Sequence, residues 1–293
     1  MAVTLAFIHA LSSLHAGTGQ GVDVIDLPIA RERASNLPFL PGSSIKGCLR
    51  DDYRRRGGAD EDVVFGSEDP HNAFSGALHI SDARLLLLPV RCLGTSFVWT
   101  TSPYILRRLQ RDVRAAGLPE LPAIPELPKG QASITTSTPL TKVEGAQKLV
   151  LEELDFTRNG AGADKWAEWI GKGLFAGDAD AVAWQNELKS RFAIVDDDSF
   201  QFLSEFSTEV NAHIKIDENT GTVERGGLWY QESLPAETAL VSLVQAERSW
   251  KPGVILTGEQ VLDRIAGRRF LQFGGKATTG QGAAYFVPWG VAV

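Results

Sequence analysis

Two carboxylates, Asp23 and Asp26, follow a histidine and a glycine-rich turn, His15-Ala16-Gly17-Thr18-Gly19-Gln20-Gly21, and precede a run of cations. The cations begin with Arg31 and Arg33 and resume after Pro41-Gly42-Ser43-Ser44 with Lys46, Arg50, Arg54, Arg55 and Arg56. Glycine backbone can approach phosphates closely, and guanidinium and ammonium groups neutralise them. With two acids beside them, these residues suit a surface that holds a nucleic-acid backbone and cuts it. A second glycine-rich loop near the end of the chain, Gly274-Gly275-Lys276-Ala277-Thr278-Thr279-Gly280-Gln281-Gly282, offers backbone N–H groups, a lysine and two hydroxyls to an anion. It is no Walker loop, because Ala277 follows Lys276 where Ser or Thr is required and a strand follows instead of a helix. A plain hairpin turn is the competing reading of that loop.

The formal net charge of −7 opposes phosphate binding by the protein as a whole, but its distribution does not. Residues 28–58 carry seven Lys or Arg against three acids, a local +4 on a body of −11. A basic field confined to one window implies a restricted binding strip, and a solvated helix face is the alternative. With 293 residues and 43% hydrophobic content, the chain can bury one large core with insertions. No apolar run reaches the ~20 residues a membrane helix needs, and the start lacks a secretory pattern, so a soluble cytoplasmic protein is expected. Cys48 and Cys92 stand far apart, outside disulfide or zinc spacing, and read as small buried residues.

The elements that must position these residues follow from periodicity. Val3 to Leu11 reads as a buried strand. Ser43 or Ser44 is placed to cap a helix with Ile45, Leu49 and Tyr53 on one stripe and Lys46, Arg50 and Arg54 on the next, with Gly47 allowing another backbone close. Residues 76–92 read as strand, turn and strand, and Ser102 caps a helix from Pro103 to about Ala116. Regularly spaced prolines make 118–128 an extended connector. Strand character resumes at 132–137 and 148–154, and a helical insertion after Gly160 carries Trp166, Trp169 and Trp184. Asp196-Asp197-Asp198 suits acidic capping of a short helix better than metal binding. Residues 209–230 form a hairpin turning at 217–221, whose Trp229 and Tyr230 either stack on bases or pack, while Glu232 reads as a surface carboxylate. Strands at 239–246, 269–273 and 283–287, with a helix capped by Thr257 through about Ala266, complete an irregular alternation. That pattern suits an α+β, ferredoxin-like core.

His15-x-Gly-x-Gly, Val24-Ile25-Asp26-Leu27-Pro28-Ile29-x-Arg31-Glu32-Arg33, Leu40-Pro41-Gly42-Ser43-Ser44-Ile45-Lys46-Gly47-Cys48-Leu49-Arg50, Val64-Phe65-Gly66-Ser67-Glu68 and the late glycine loop recur in the order seen in the RAMP superfamily of CRISPR proteins. Further phrases at 81–84, 99–103 and 226–235 make the chain resemble the repeated backbone subunit of type III-B (Cmr) effector complexes. The resemblance implies a modified ferredoxin-like (RRM-like) RAMP palm built from 1–116 and 236–293, helical insertions in 117–205, and a β-hairpin thumb in 206–235, all within one domain of 293 residues. It further implies copies stacked in a helical filament along a CRISPR guide RNA, beside other Cmr subunits, with a paired target RNA cut at regular intervals in a divalent-metal-dependent reaction.

On that resemblance the catalytic residue is Asp26, which would also bind the Mg²⁺ or Mn²⁺ ion, with His15 near the same site. Lys46 and Arg50 match guide-RNA contacts. Ser43, Ser44, Arg31, Arg33, Gly274, Gly275, Lys276, Gly280 and Gly282 complete the expected RNA surface, and Trp229, Tyr230 and Glu232 the thumb. RNA supplies its own 2′-hydroxyl nucleophile, so such a site needs in-line geometry, a proton acceptor and charge stabilisation. One or two carboxylates suffice for a hydrated Mg²⁺, and an imidazole near pKa ~6.5 could move a proton. Where the family has Glu and Tyr near the thumb, this chain has Gln231 and Ser233. A guide-binding scaffold without cleavage and a stand-alone RAMP endoribonuclease that processes CRISPR transcripts are the alternatives.

Overall fold

The computed structural model describes residues 1–19, 24–160, 162–218 and 220–290; Asp23 lies outside them. The chain opens with β1 (Ala2–Ala10), in which Leu5, Ala6, Phe7, Ile8 and Ala10 are all fully buried. Successive residues of a strand face opposite sides of its sheet. Leu5 and Phe7 accordingly join one core with Trp166, Ile170 and Leu174, while Ala6 and Ile8 join a second with Ile45, Leu49 and Phe286. After a loop come β2 (Phe39–Leu40), α1 (Gly42–Arg55) and α2 (Glu61–Phe65). The α1 stripe of Ile45, Leu49 and Tyr53 is buried as its spacing requires.

Two strands, β3 (Leu78–Ile80) and β4 (Ala83–Cys92), lead to β5 (Thr95–Thr101) and α3 (Pro103–Ala115), which Ser102 caps through the Ile105 N–H. Next come β6 (Gln131–Ile134), β7 (Thr141–Val143), β8 (Ala146–Leu151), β9 (Leu154–Arg158), α4 (Ala163–Leu174), α5 (Ala181–Ser190), β10 (Phe192–Val195) and α6 (Asp197–Phe206). The expected single strand at 148–154 is two, because Glu152 turns the chain in the left-handed region at φ 49°. Asp196 caps α6 through the Ser199 N–H, and among the described residues no cluster of metal-binding side chains forms around it.

The antiparallel pair β11 (Glu209–Ile216) and β12 (Val223–Ser233) forms a separate two-stranded ribbon, and its second arm runs three residues past Tyr230. β13 (Ala239–Ala246), α7 (Gly258–Asp263), β14 (Arg269–Gln272) and β15 (Ala283–Pro288) close the chain. A capping box of Thr257 and Gln260 starts α7, which ends three residues before the expected Ala266.

Thirteen of the described strands form one sheet, in the order β14-β15-β1-β13-β4-β5-β10-β6-β9-β8-β7, with β2 on β4 and β3 on β13. The fold is α+β. β1 runs antiparallel to both β13 and β15, so the chain's first, thirteenth and last strands sit side by side. A bridge between Cys92 and Leu151 brings β8 back to β4. Among the described residues no helix is long and apolar enough to cross a membrane.

Candidate active site and nucleic-acid interface

The segment after β1 is laid along the base of the hairpin. Leu14 exchanges both backbone hydrogen bonds with Leu234, and Leu27 pairs with Gln231 by donating to the Tyr230 carbonyl and accepting from the Glu232 N–H. Between these, Gly17 bridges Ile29. The edge of β12 not occupied by β11 therefore carries Leu27, and Leu14 pairs just past its end at Leu234.

Asp26 is exposed at the end of this seam, where its Oδ2 accepts the Tyr230 N–H at 2.8 Å. The other carboxylate oxygen has no partner among the described residues, so it faces solvent as an anionic ligand. One oxygen fits a divalent ion that keeps most of its water, a shell Mg²⁺ favours. No group of three or more His, Cys, Asp or Glu able to hold a metal occurs among the described residues. Any ion here would need water or substrate for the rest of its shell.

His15 docks two residues further along the same strand, its Nδ1 2.6 Å from the Glu232 carbonyl. A carbonyl only accepts, so Nδ1 carries a proton and the lone pair of the neutral ring lies on Nε2. The ring is 7% exposed and sits against Gly17, where a Cβ would come within 2.5 Å of Nε2. Of the two roles open to a histidine beside a strand end, moving a proton or orienting the loop, this placement suits the second.

Glu232 is a correction. Read as a surface carboxylate, it is 3% exposed and anchors the seam from within. Its Oε1 takes hydrogen bonds from Arg31 at 2.5 Å and Thr208 at 3.0 Å, and Oε2 accepts the Ile29 N–H at 3.1 Å. Arg31, expected on RNA, also donates to the carbonyls of Asn36 and Ser204 and is largely buried. The guanidinium is consumed inside the protein. Sequence carried no signal for this pair, whose members stand 201 residues apart.

The late glycine loop packs against the same turn. Gly275 N–H donates to the His15 carbonyl, and a Cβ on Gly274, at φ 72°, would collide with that carbonyl. Gly282 corrects another expectation: it is buried, donates to the Ser13 carbonyl and leaves no room for a Cβ against Phe273, so it is a packing residue. Gln231 ties the hairpin base to this loop by donating to Gln281 Oε1 at 2.7 Å. Gln231 and Ser233 are fully buried and bonded to each other. Gly274 and Gly275, with Ala16, Gly17, Ser44 and Gly47, line a groove of about 440 Å³. Lys276, at φ 64°, and Gly280 are exposed.

Ser43 and Ser44 do not cap α1. The helix begins at Gly42, whose N–H is taken by Asp82 Oδ1 at 2.8 Å, and both serines are exposed in its first turn. Gly42, not Gly47, is where another backbone comes close: a Cβ there would strike the Ile80 and Ser81 carbonyls. Lys46 and Arg50 face away from the glycine groove, into a second hollow with Gly66, Ser67, Phe74 and His79. Lys46 Nζ donates to the Leu78 carbonyl at 2.8 Å, and burial, reinforced by the Arg50 charge, lowers its pKa from the ordinary value. Arg50 is bound by Glu61 at 2.5 Å, Glu68 at 3.2 Å and the Gly66 carbonyl. Arg54 shares the same two acids. The basic strip is therefore partly neutralised from within, whereas exposed Arg33 has no ion-pair partner among the described residues.

At the hairpin, Trp229 stacks on His213 with ring centroids 5.5 Å apart, so it packs. Tyr230 is 40% exposed beside Asp26, with Ile214 and Leu228 also exposed on the ribbon. Cys92 is buried as expected, while Cys48 is half-buried and donates to the Gln272 carbonyl at 3.0 Å.

The chain belongs to the RAMP superfamily, whose family model matches residues 7–285. Among individual relatives, it is 34% identical over 294 residues to the CRISPR system Cmr endoribonuclease Cmr4 of Pyrococcus furiosus, covering 96% of this chain and 94% of that one. The crystal structure of oligomeric Cmr4 from the same organism superposes with a TM-score of 0.72 at 27% identity over 98% of both chains. A subunit of the type III-B Cmr-beta complex bound to cognate target RNA shares the fold, with a TM-score of 0.68 at 20% identity over 98% of this chain and 97% of its own.

Proposed function

We propose that the chain is a repeated backbone subunit of a type III-B CRISPR effector complex, acting in the cytoplasm, and that it cleaves target RNA paired to the guide. Its near-full-length relation to an endoribonuclease of that system supports the reading, as does its likeness to an oligomeric Cmr4 structure. The observation that carries it is the exposed Asp26 carboxylate, fixed by the Tyr230 N–H at the root of a projecting ribbon. In this reading the sheet around β1, β13 and β4 is the ferredoxin-like palm, the insertion between β5 and β11 elaborates it, and the β11–β12 ribbon is the thumb.

Each side chain then has a role. Gly274, Gly275, Ser43 and Ser44 offer backbone and hydroxyl donors to a sugar–phosphate backbone along the groove, and Lys276 and Arg33 add exposed charge. Lys46 sits where burial penalises its charge, so a phosphate beside it restores what desolvation costs. Asp26 presents one free oxygen toward the 2′-hydroxyl and phosphate of the target strand. A divalent ion bound there would stabilise charge developing on the phosphate. His15 and Glu232 do not touch RNA; they hold the seam that sets the Asp26 position.

Incubating the assembled complex with labelled complementary RNA, in Mg²⁺ and in EDTA, tests the proposal. A regularly spaced, Mg²⁺-dependent ladder is expected. Binding without cleavage would leave only the scaffold role. Cleavage of CRISPR transcripts without a guide would assign a processing enzyme instead.

A further inference from the structure

A second cleft, this one cationic, lies at the C-terminal end of α1, where Arg56 follows the helix, beyond the glycine groove that takes Ser44, Gly47, Cys48 and Asp51 from it. It encloses about 660 Å³ and is lined by Arg56, Arg268 and Arg269 together with glycine-rich backbone at Gly177, Gly267 and Gly290. All three glycines have positive φ, so the wall there is bare peptide. No acidic side chain lines it among the described residues.

The acids stand behind the arginines instead. Asp178 pairs with Arg268, whose guanidinium lies 3.6 Å above the Tyr285 ring. Asp52 is shared, 2.9 Å from Arg56 Nε and 3.7 Å from Arg269 Nη1. Among the described residues three guanidinium groups thus face two carboxylates, an excess of one positive charge. The Arg269 side chain is 14% exposed; its Nη2 donates to the Arg264 and Ala266 carbonyls, and its Nε is buried without an acceptor among the described residues. Burial and the adjacent Arg56 lower the Arg269 pKa, as expected of cations crowded together without enough counter-charge.

We propose that this cleft binds the phosphate monoester of a ligand of mononucleotide size. Guanidinium groups fixed from behind by carboxylates present their remaining N–H donors in the fork geometry that phosphate oxygens accept. The volume lies within the range of small-molecule pockets. The site is independent of the RNA-cleaving reading, since none of the groups placed in that machinery lines it.

Equilibrium dialysis of labelled AMP against the purified chain at constant ionic strength tests it. Saturable one-to-one binding is expected, displaced by inorganic pyrophosphate and not by adenosine. Arg56→Ala, at a half-exposed position that need not disturb folding, and Arg269→Gln should each weaken binding about tenfold or more, while Lys276→Ala leaves it unchanged. A 5′-phosphorylated pentanucleotide that binds tighter than AMP would assign the phosphate to an RNA end; equal or weaker binding assigns it to a free nucleotide. Absent saturation, equal competition by adenosine, displacement of AMP by the 5′-hydroxyl pentanucleotide as effective as by the 5′-phosphorylated one, or an Arg56→Ala protein that binds as the parent does would overturn the proposal.

Discussion

Asp26 is held by Tyr230 through main chain: the carboxylate Oδ2 accepts the tyrosine N–H at 2.8 Å, so the tyrosine side chain is not what fixes it. Asparagine at this position retains an oxygen able to accept the same bond. Asp26→Asn should therefore keep the loop in place and guide-dependent assembly intact, while target cleavage falls by 10²-fold or more, as is usual when an essential charged group is removed. Unchanged cleavage products from assembled Asp26→Asn would remove the residue from the chemistry.

Gly17→Ala should uncouple stability from activity. The added methyl meets His15 Nε2 and must push the ring or the turn aside, a strain of about 1–3 kcal/mol. A modest fall in melting temperature together with a disproportionate loss of cleavage is expected. Equal losses in both would mean that the turn does not set the Asp26 position.

Removing one member of the Arg31–Glu232 pair leaves the other charged and buried, which costs roughly 3–5 kcal/mol. Glu232→Ala should lower stability on that scale in chemical denaturation. An Arg31→Met/Glu232→Leu double variant should recover much of it. Additive losses in the double variant would show that the two residues act independently.

Lys46 and Arg50 should part company on substitution. Lys46 has no acidic partner among the described residues, so Lys46→Ala is expected to weaken guide RNA binding and reduce the slope of log K against log salt by about 0.7, with little change in stability. Arg50→Ala removes one of the two guanidinium partners of Glu61 and Glu68 and the bond to the Gly66 carbonyl, so its melting temperature should fall as well. Identical salt slopes for Lys46→Ala and the parent protein would exclude a phosphate contact.

Hydrogen bonds from Arg54, and then Arg50, push the Glu61 carboxyl down to about 2 from an ordinary 4.5. A depressed folded-state value stabilises the fold above pH 4.5, and that contribution is lost as pH falls toward 2. Glu61→Gln should lower the melting temperature at pH 7 and flatten its decline between pH 4.5 and 2. A variant curve parallel to the parent's across that window would contradict the assignment.

Local signals proved legible where the causes are local. The β1 apolar run, the Ile45-Leu49-Tyr53 stripe and the caps at Ser102, Asp196 and Thr257 involve residues within a few positions of one another. Ser43 and Ser44 looked equally good as caps, but Asp82 reaches Gly42 from forty residues away. The same holds at the site. Asp26 and its glycine turn are visible in sequence, whereas the buried role of Glu232 depends on Arg31, and the muted charge of Arg50 and Arg54 depends on Glu61 and Glu68. Charge counted along a chain cannot register cancellation arranged in space.

β1 has one further consequence, genetic in kind. Phe7 packs against Trp169 and Trp289 on one side, while Ile8 belongs with the residues of α1 on the other. A lesion at Ile8 can be compensated by repacking only from α1 and its neighbours, and a lesion at Phe7 only from α4 and the end of β15. Second-site suppressors of β1 alleles should therefore sort by the parity of the position hit, and alleles of unlike parity should share none.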